Sequence, residues 1–300
     1  MTFPYLTETK DLTDSVRARA DGSFISLTDG ICHYEFGGLD TPLAGARGYS
    51  TTVVLVHGFS VPSFIWDPTF DFLTKSGFRV LRFDLFGRGY SDRPRTNYGI
   101  ELYVRQLRDL LDALHIREPI YLAGLSMGGA ISVNFTDRFP DRVAKLILVD
   151  PTGAKSIQQT FALKLIQTPV LGELILGLAG DGTLLKGIAS DFYDPSLVEQ
   201  FIERYRPQMK IKGFKRAILS TLRNNMLGEF FDTYRRVGKI KKPTLLFWGR
   251  NDTTVPFEQS PLVMSAMPHA EFHVIEDVGH IPHYEKPGEV NPTLLNFLNS

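Results

Sequence analysis

The 300-residue sequence has one cysteine, Cys32, two tryptophans and no surplus of either charge, with 33 Lys plus Arg against 33 Asp plus Glu. A lone cysteine cannot close an internal disulfide. With no signal-peptide pattern, the expected setting is a reducing cytoplasm. Cys32 lies in a strand-like run and reads as a small buried apolar residue. Balanced charge without a basic cluster leaves no footprint for nucleic acid, and no apolar run is long enough to span a bilayer. The remaining composition is that of a globular chain, 43% hydrophobic. It can bury one large α/β domain or a domain carrying an insertion.

Apolar and β-branched runs set the order of elements. After a mixed, charged lead-in over residues 1–22, Ser23–Thr28 and Ile31–Glu35 flank Asp29-Gly30, a hairpin signal; Gly37–Ser50 reads as a loop. Thr51–Val56, Arg79–Phe83, Ile120–Ala123, Lys145–Val149, Thr244–Trp248 and Glu271–Ile275 are apolar runs of the kind that strands buried on both faces show. Helical stretches separate them: Phe70–Lys75, Glu101–Leu114, a segment from Ala130, and Glu289–Leu298. This alternation predicts a mostly parallel, doubly wound sheet of βαβ units. It breaks after Asp150, and no strand pattern shows from Gly153 to Arg236. The expected organisation is an α/β core over residues 23–152 and 237–300, with a helical insertion over 153–236.

The chain is organised around Gly124-Leu125-Ser126-Met127-Gly128. Alone, such a pentapeptide arises by chance in roughly one chain of this length in ten. Here it stands between a strand and a helix, the context that gives it chemical meaning. The glycines clear space for a turn too sharp for side chains. Ser126 is left at the top of the sheet, beside a helix N-terminus that favours negative charge. A serine hydroxyl needs a base, and the base an orienting acid. His280, in a loop after the last strand, is the candidate base. Asp252, just past the strand ending at Trp248, is the candidate acid, with Asp150 as its competitor at another strand end. His57, which precedes the serine, reads as structural, and His283 as a neighbour of the base.

The order Ser126, Asp252, His280 is that of α/β-hydrolases. The sequence resembles that superfamily from about Ser23 to Leu298, in His57-Gly58 after a strand, the glycine loop Asp84–Asp92, the elbow, Gly249-x-x-Asp252 and Gly279-His280. The resemblance implies an oxyanion site made by the backbone N–H groups of Phe59 and Met127. It also makes the insertion a cap over the site, with Trp66, Leu174, Phe192 and Phe201 as candidate substrate-binding residues and Gly180-Asp181-Gly182 as a turn giving the cap mobility. A serine nucleophile argues against epoxide hydrolases and dehalogenases of this fold, which carry aspartate there. Met127 argues against proline iminopeptidases, which usually have tryptophan.

The expected activity is hydrolysis of small to medium apolar carboxylic esters through an acyl-enzyme, without metal or organic cofactor. The alternative is hydrolysis of a carbon–carbon bond in vinylogous diketones of ring-cleavage pathways, whose enzymes commonly show asparagine where Leu125 stands. A third reading is a non-catalytic ligand-binding protein on the same scaffold. The expected partner is a small molecule; the oligomeric state is left open.

Overall fold

The computed structural model describes residues 5–38, 51–156 and 161–300, with the side chains of residues 161–162 set aside. The expected loop over Gly37–Ser50 falls mostly outside them. The described strands are β1 (Ser23–Leu27), β2 (Gly30–Gly37), β3 (Val53–Val56), β4 (Val80–Phe83), β5 (Ile120–Leu125), β6 (Val143–Val149), β7 (Thr244–Gly249) and β8 (Glu271–Ile275). They form one sheet in the order β1-β2-β4-β3-β5-β6-β7-β8. β1, β2 and β4 pair antiparallel, and every pair from β4 to β8 is parallel. The β1–β2 hairpin turns on Thr28 and Asp29, one residue earlier than expected. Arg105 holds Asp29 in a bidentate ion pair, and the Ile31 amide is bonded to the Asp92 carboxylate at 2.7 Å.

The side-chain period of two sorts each central strand onto two faces. Val53 and Leu55 join a core with α2 (Asp67–Lys75) and α12 (Pro287–Asn299). Val54 and Val56 join a second core with α3 (Ile100–Ala113) and α4 (Met127–Arg138). Both layers are apolar because the parallel strands have no solvated face. Cys32 is fully buried in the second layer, and burial pushes its thiol up to about 12.

The chain leaves the sheet after β6 and returns at β7 through α5 (Phe161–Gln167), α6 (Leu171–Ser190), α7 (Val198–Met209), α8 (Phe214–Arg223) and α9 (Phe231–Ile240). α9 straddles the expected limit at Arg236. Its Tyr234 and Val237 pack with Val133 of α4 and with Val263 and Ala266 of α10 (Ser260–Ala266), so this helix lies against the sheet layer. The expected turn at Gly180-Asp181-Gly182 is absent, because α6 runs through it. Gly180 packs closely on Leu176, and Asp181 pairs at 2.8 Å with the buried Lys215 of α8, so packing overrides the glycines' weak helix preference. The lead-in, with its one-turn α1 (Asp14–Arg17), is pinned to this helical layer. The Glu8 carboxylate accepts the amides of Gly213 and Lys215 at 2.6 and 2.5 Å. Among the described residues no helix is long and apolar enough to cross a membrane.

Candidate active site

β5 passes into α4 through Ser126, whose backbone (φ 55°, ψ −121°) lies in a region few non-glycine residues adopt. Neighbouring backbone forces this geometry. A Cβ on Gly124 would collide with the Gly128 carbonyl, and one on Gly128 with the carbonyls of Val56 and His57. The Ser126 amide is bonded to the Val149 carbonyl, and its own carbonyl accepts from Gly129 and Thr152. Strand and helix thus over-determine the strained residue.

The candidate base and acid come from adjacent strand ends. His280 Nδ1 is 2.7 Å from Asp252 Oδ2, and both residues are buried. Asp252 Oδ1 accepts the amides of Thr254 and Val255 at 2.8 and 2.9 Å, so the carboxylate is held by three N–H groups. The two loops meet because a Cβ on Gly249 would strike the Gly279 carbonyl. Burial alone would lower the His280 imidazole's affinity for a proton; the Asp252 charge and hydrogen bond outweigh it, and the net shift is upward from 6.5. The hydrogen bond leaves Nε2 as the nitrogen able to serve as base.

Asp150, the competing acid, makes a different contact. Its Oδ1 accepts the Gly249 amide at 2.9 Å. Burial first, and the Asp252 charge second, push its carboxyl well above the usual range, favouring the neutral acid. Ligand atoms of Asp150, Asp252 and His280 lie within 4.8 Å of one another. Within this cluster Asp252 bonds His280, while Asp150 bonds the Gly249 amide.

Ser126 and His280 open into one cavity of about 190 Å³, lined also by Gly58, Phe59, Ile65 and Leu125 from the core. Beside them stand Thr183, Leu184, Gly187, Ile188 and Asp191, a stripe at helical spacing along the C-terminal half of α6 and its end. The insertion therefore faces the serine, but through residues other than those expected. Leu174 is 42% exposed, on the half of α6 away from the cavity. Phe192 and Phe201 pack on each other and on Tyr284, with centroids 4.9–6.1 Å apart. Trp66 is buried and packs, tilted, against His283 with ring centroids 4.2 Å apart. None of the four lines the serine cavity.

Phe59 and Met127 are the two expected oxyanion donors. The Phe59 and Met127 amides have no protein acceptor among the described hydrogen bonds. Gly58 abuts Ser126: a Cβ there would stand 3.2 Å from the serine Cβ. His57 sets the Gly58–Phe59 peptide. Its Nδ1–H donates to the Gly58 carbonyl at 2.9 Å, while Nε2 accepts the Leu85 amide at 2.9 Å. Because a trans peptide points N–H opposite to C=O, fixing that carbonyl fixes the Phe59 N–H. Burial lowers the His57 pKa to about 4, so the ring stays neutral and keeps this tautomer. Arg88 fixes the next peptide. Its Nε donates to the Phe59 carbonyl at 2.7 Å, and its other end donates to Thr221 of α8 at 3.0 Å. These supports were hard to see in sequence, because a histidine before the serine and an arginine in a loop carry no spacing signal.

Known proteins share this chain's fold. A family model for the alpha/beta hydrolase family matches residues 53–293. The chain belongs to that family. It is 32% identical over 262 residues to a 2-hydroxy-6-oxononadienedioate/2-hydroxy-6-oxononatrienedioate hydrolase of Paraburkholderia phymatum, covering 82% of this chain and 86% of that one. Among solved structures it is similar to a thermophilic esterase from Thermogutta terrifontis (TM-score 0.76, 26% identity, 93% and 98% covered). It shares its fold with a meta-cleavage product hydrolase from Pseudomonas fluorescens IP01 (TM-score 0.73, 24% identity, 93% and 97% covered).

Proposed function

We propose that this chain is a serine hydrolase that breaks the carbon–carbon bond beside the ketone of a vinylogous diketone. The observation that carries the serine chemistry is the 2.7 Å His280–Asp252 hydrogen bond, which holds the imidazole in the cavity that Ser126 enters. The bond type is supported by the Paraburkholderia relative, whose named substrate is an unsaturated nine-carbon dioate with a 2-hydroxy and a 6-oxo group. Ser126 Oγ attacks the ketone carbon as His280 Nε2 takes its proton. The oxyanion rests on the Phe59 and Met127 amides, donors preorganised for charge that develops only in the transition state. In the diketone tautomer, where the enol proton has moved to the carbon beside the ketone, breaking the carbon–carbon bond sends its electron pair into the conjugated enone as a dienolate, and the His280 proton is returned to that fragment. Water, deprotonated by His280, then attacks the acyl-serine and releases the acid. Asp252 keeps the ring oriented throughout.

Ester hydrolysis is the second reading. The same steps serve an ester, with an alcohol as leaving group. It is favoured by Leu125, which stands where ring-cleavage hydrolases commonly carry asparagine, and by the likeness to the Thermogutta esterase. The test runs a chromogenic ring-fission diketone beside p-nitrophenyl esters of increasing acyl length. Faster turnover of the diketone supports the first reading; turnover of esters alone selects the second. No turnover of either, with no labelling by a fluorophosphonate, points to a binding protein.

A further inference from the structure

The cavity that holds Ser126 has a second acid in its wall. Asp191, at the C-terminal end of α6, and His280 are the two ionisable side chains in its lining among the described residues, and no Lys or Arg stands there. Asp191 is fixed from two sides. Its carbonyl accepts the His280 amide at 2.7 Å, and a Cβ on Gly279 would collide with that carbonyl. The Thr254 hydroxyl donates to its Oδ1 at 2.6 Å. The helical layer thus delivers a carboxyl group to the edge of the catalytic loop, held by backbone as well as side chain.

The acyl part of a substrate stays joined to Ser126 through both halves of the reaction, so it is the part this cavity must accept. We propose that Asp191 is a specificity-determining residue, which makes the site reject acyl groups ending in a carboxylate, unlike the dioate for which the Paraburkholderia relative is named, and accept neutral ones of the same shape. The inference rests on Ser126 being the nucleophile. A carboxylate brought in here meets a like charge with no cation in the wall to offset it. Desolvation holds the Asp191 pKa up at about 6. The groups facing it are His280 after β8, Thr254 and Asp252 after β7, and Glu285 of α11 (Pro282–Glu285). The first two favour the anion, and the two carboxylates oppose it. Above that pKa the anion dominates and the exclusion is in force. Below it Asp191 is neutral and His280 is protonated, so the exclusion fades.

The test compares p-nitrophenyl butyrate with p-nitrophenyl hemisuccinate, whose acyl chains have equal carbon counts but differ in terminal charge. In the wild-type protein, butyrate should be favoured in kcat/KM by about tenfold or more well above the Asp191 pKa, the effect of like charges close together in a partly desolvated site. That ratio should shrink well below it. Asp191→Asn, which keeps an acceptor for Thr254, should cut the high-pH ratio by about tenfold, while Asp191→Glu should retain it. A ratio equal in wild type and Asp191→Asn would overturn the proposal, as would a wild-type ratio independent of pH. Should neither ester turn over, the same comparison is read from Ser126 labelling by a neutral and a carboxylate-tailed fluorophosphonate. Equal labelling rates overturn the role of Asp191. Absence of any label on Ser126 overturns the nucleophile reading instead.

Discussion

Replacing His57 by leucine separates oxyanion preorganisation from simple core packing. The imidazole is fully buried and makes two hydrogen bonds, to the Gly58 carbonyl and from the Leu85 amide, each 2.9 Å long. Leucine fills similar space but leaves both backbone groups buried without a partner. Each costs about 1–3 kcal/mol, so the fold should lose roughly 2–6 kcal/mol. The catalytic loss has a separate origin. Once the Gly58–Phe59 peptide is free to turn, the Phe59 N–H no longer points at the oxyanion, and loss of one such donor lowers kcat by about 10²–10³. KM should change little, because the donor acts on charge absent from the ground state. The assay is steady-state kinetics beside thermal unfolding, at a temperature where circular dichroism shows the variant folded. Should His57→Leu prove too unstable, Arg88→Gln and Thr221→Val probe the neighbouring peptide in the same way. A folded His57→Leu protein with reduced Tm but kcat within about threefold of wild type would refute the reasoning, leaving His57 as a packing residue.

Asp252→Asn should lower kcat by about 10⁴, since an amide favours the wrong imidazole tautomer, whereas Asp150→Asn should keep most activity because Asp150 bonds the Gly249 amide and not the ring; kcat of the two variants decides between them. Activity should rise with pH through a value above 6.5, as His280 must lose its proton to act, and Asp252→Asn should move that limb downward, read from kcat/KM across pH. Gly187 lines the cavity with no atom within 4 Å of where a Cβ would stand, so Gly187→Val should shorten the optimal acyl chain by one or two methylenes, each worth about 0.8 kcal/mol when buried, in a chain-length series. Burial alone would lower the His33 pKa, but the Asp84 charge and hydrogen bond lift it to about 9 from 6.5. That raised value makes the pair stabilising below 6.5, and its contribution of at most about 3 kcal/mol is lost as pH rises through about 9. Urea unfolding across that range should show the decline, and His33→Gln should flatten it.

The parallel core was legible because its strands are short apolar runs with no solvated face, and each of the six expected runs coincides with a described strand to within a few residues. Ser126, Asp252 and His280 were legible because glycines mark the places where backbones approach too closely for a side chain. The aromatic candidates Phe192, Phe201 and Trp66 were misplaced because size and apolarity do not distinguish a pocket wall from a packed core. Position along α6 separates Leu184 and Ile188 from Leu174, and a turn expected at Gly180 hides that the two halves are one helix. Asp191 was overlooked because a single acid at a helix end looks like a solvated cap. What turns it toward the serine is the backbone contact between the helical layer and Gly279, a long-range packing fact without a local pattern.

The central claim is that Ser126 is the nucleophile, activated by His280 and oriented by Asp252. It is tested most directly by mass spectrometry of the protein after exposure to a fluorophosphonate, with the adduct mapped to a peptide. The account predicts a single adduct on Ser126, absent in Ser126→Ala and strongly slowed in His280→Gln and Asp252→Asn. An adduct elsewhere, or substrate turnover that survives Ser126→Ala, would contradict it.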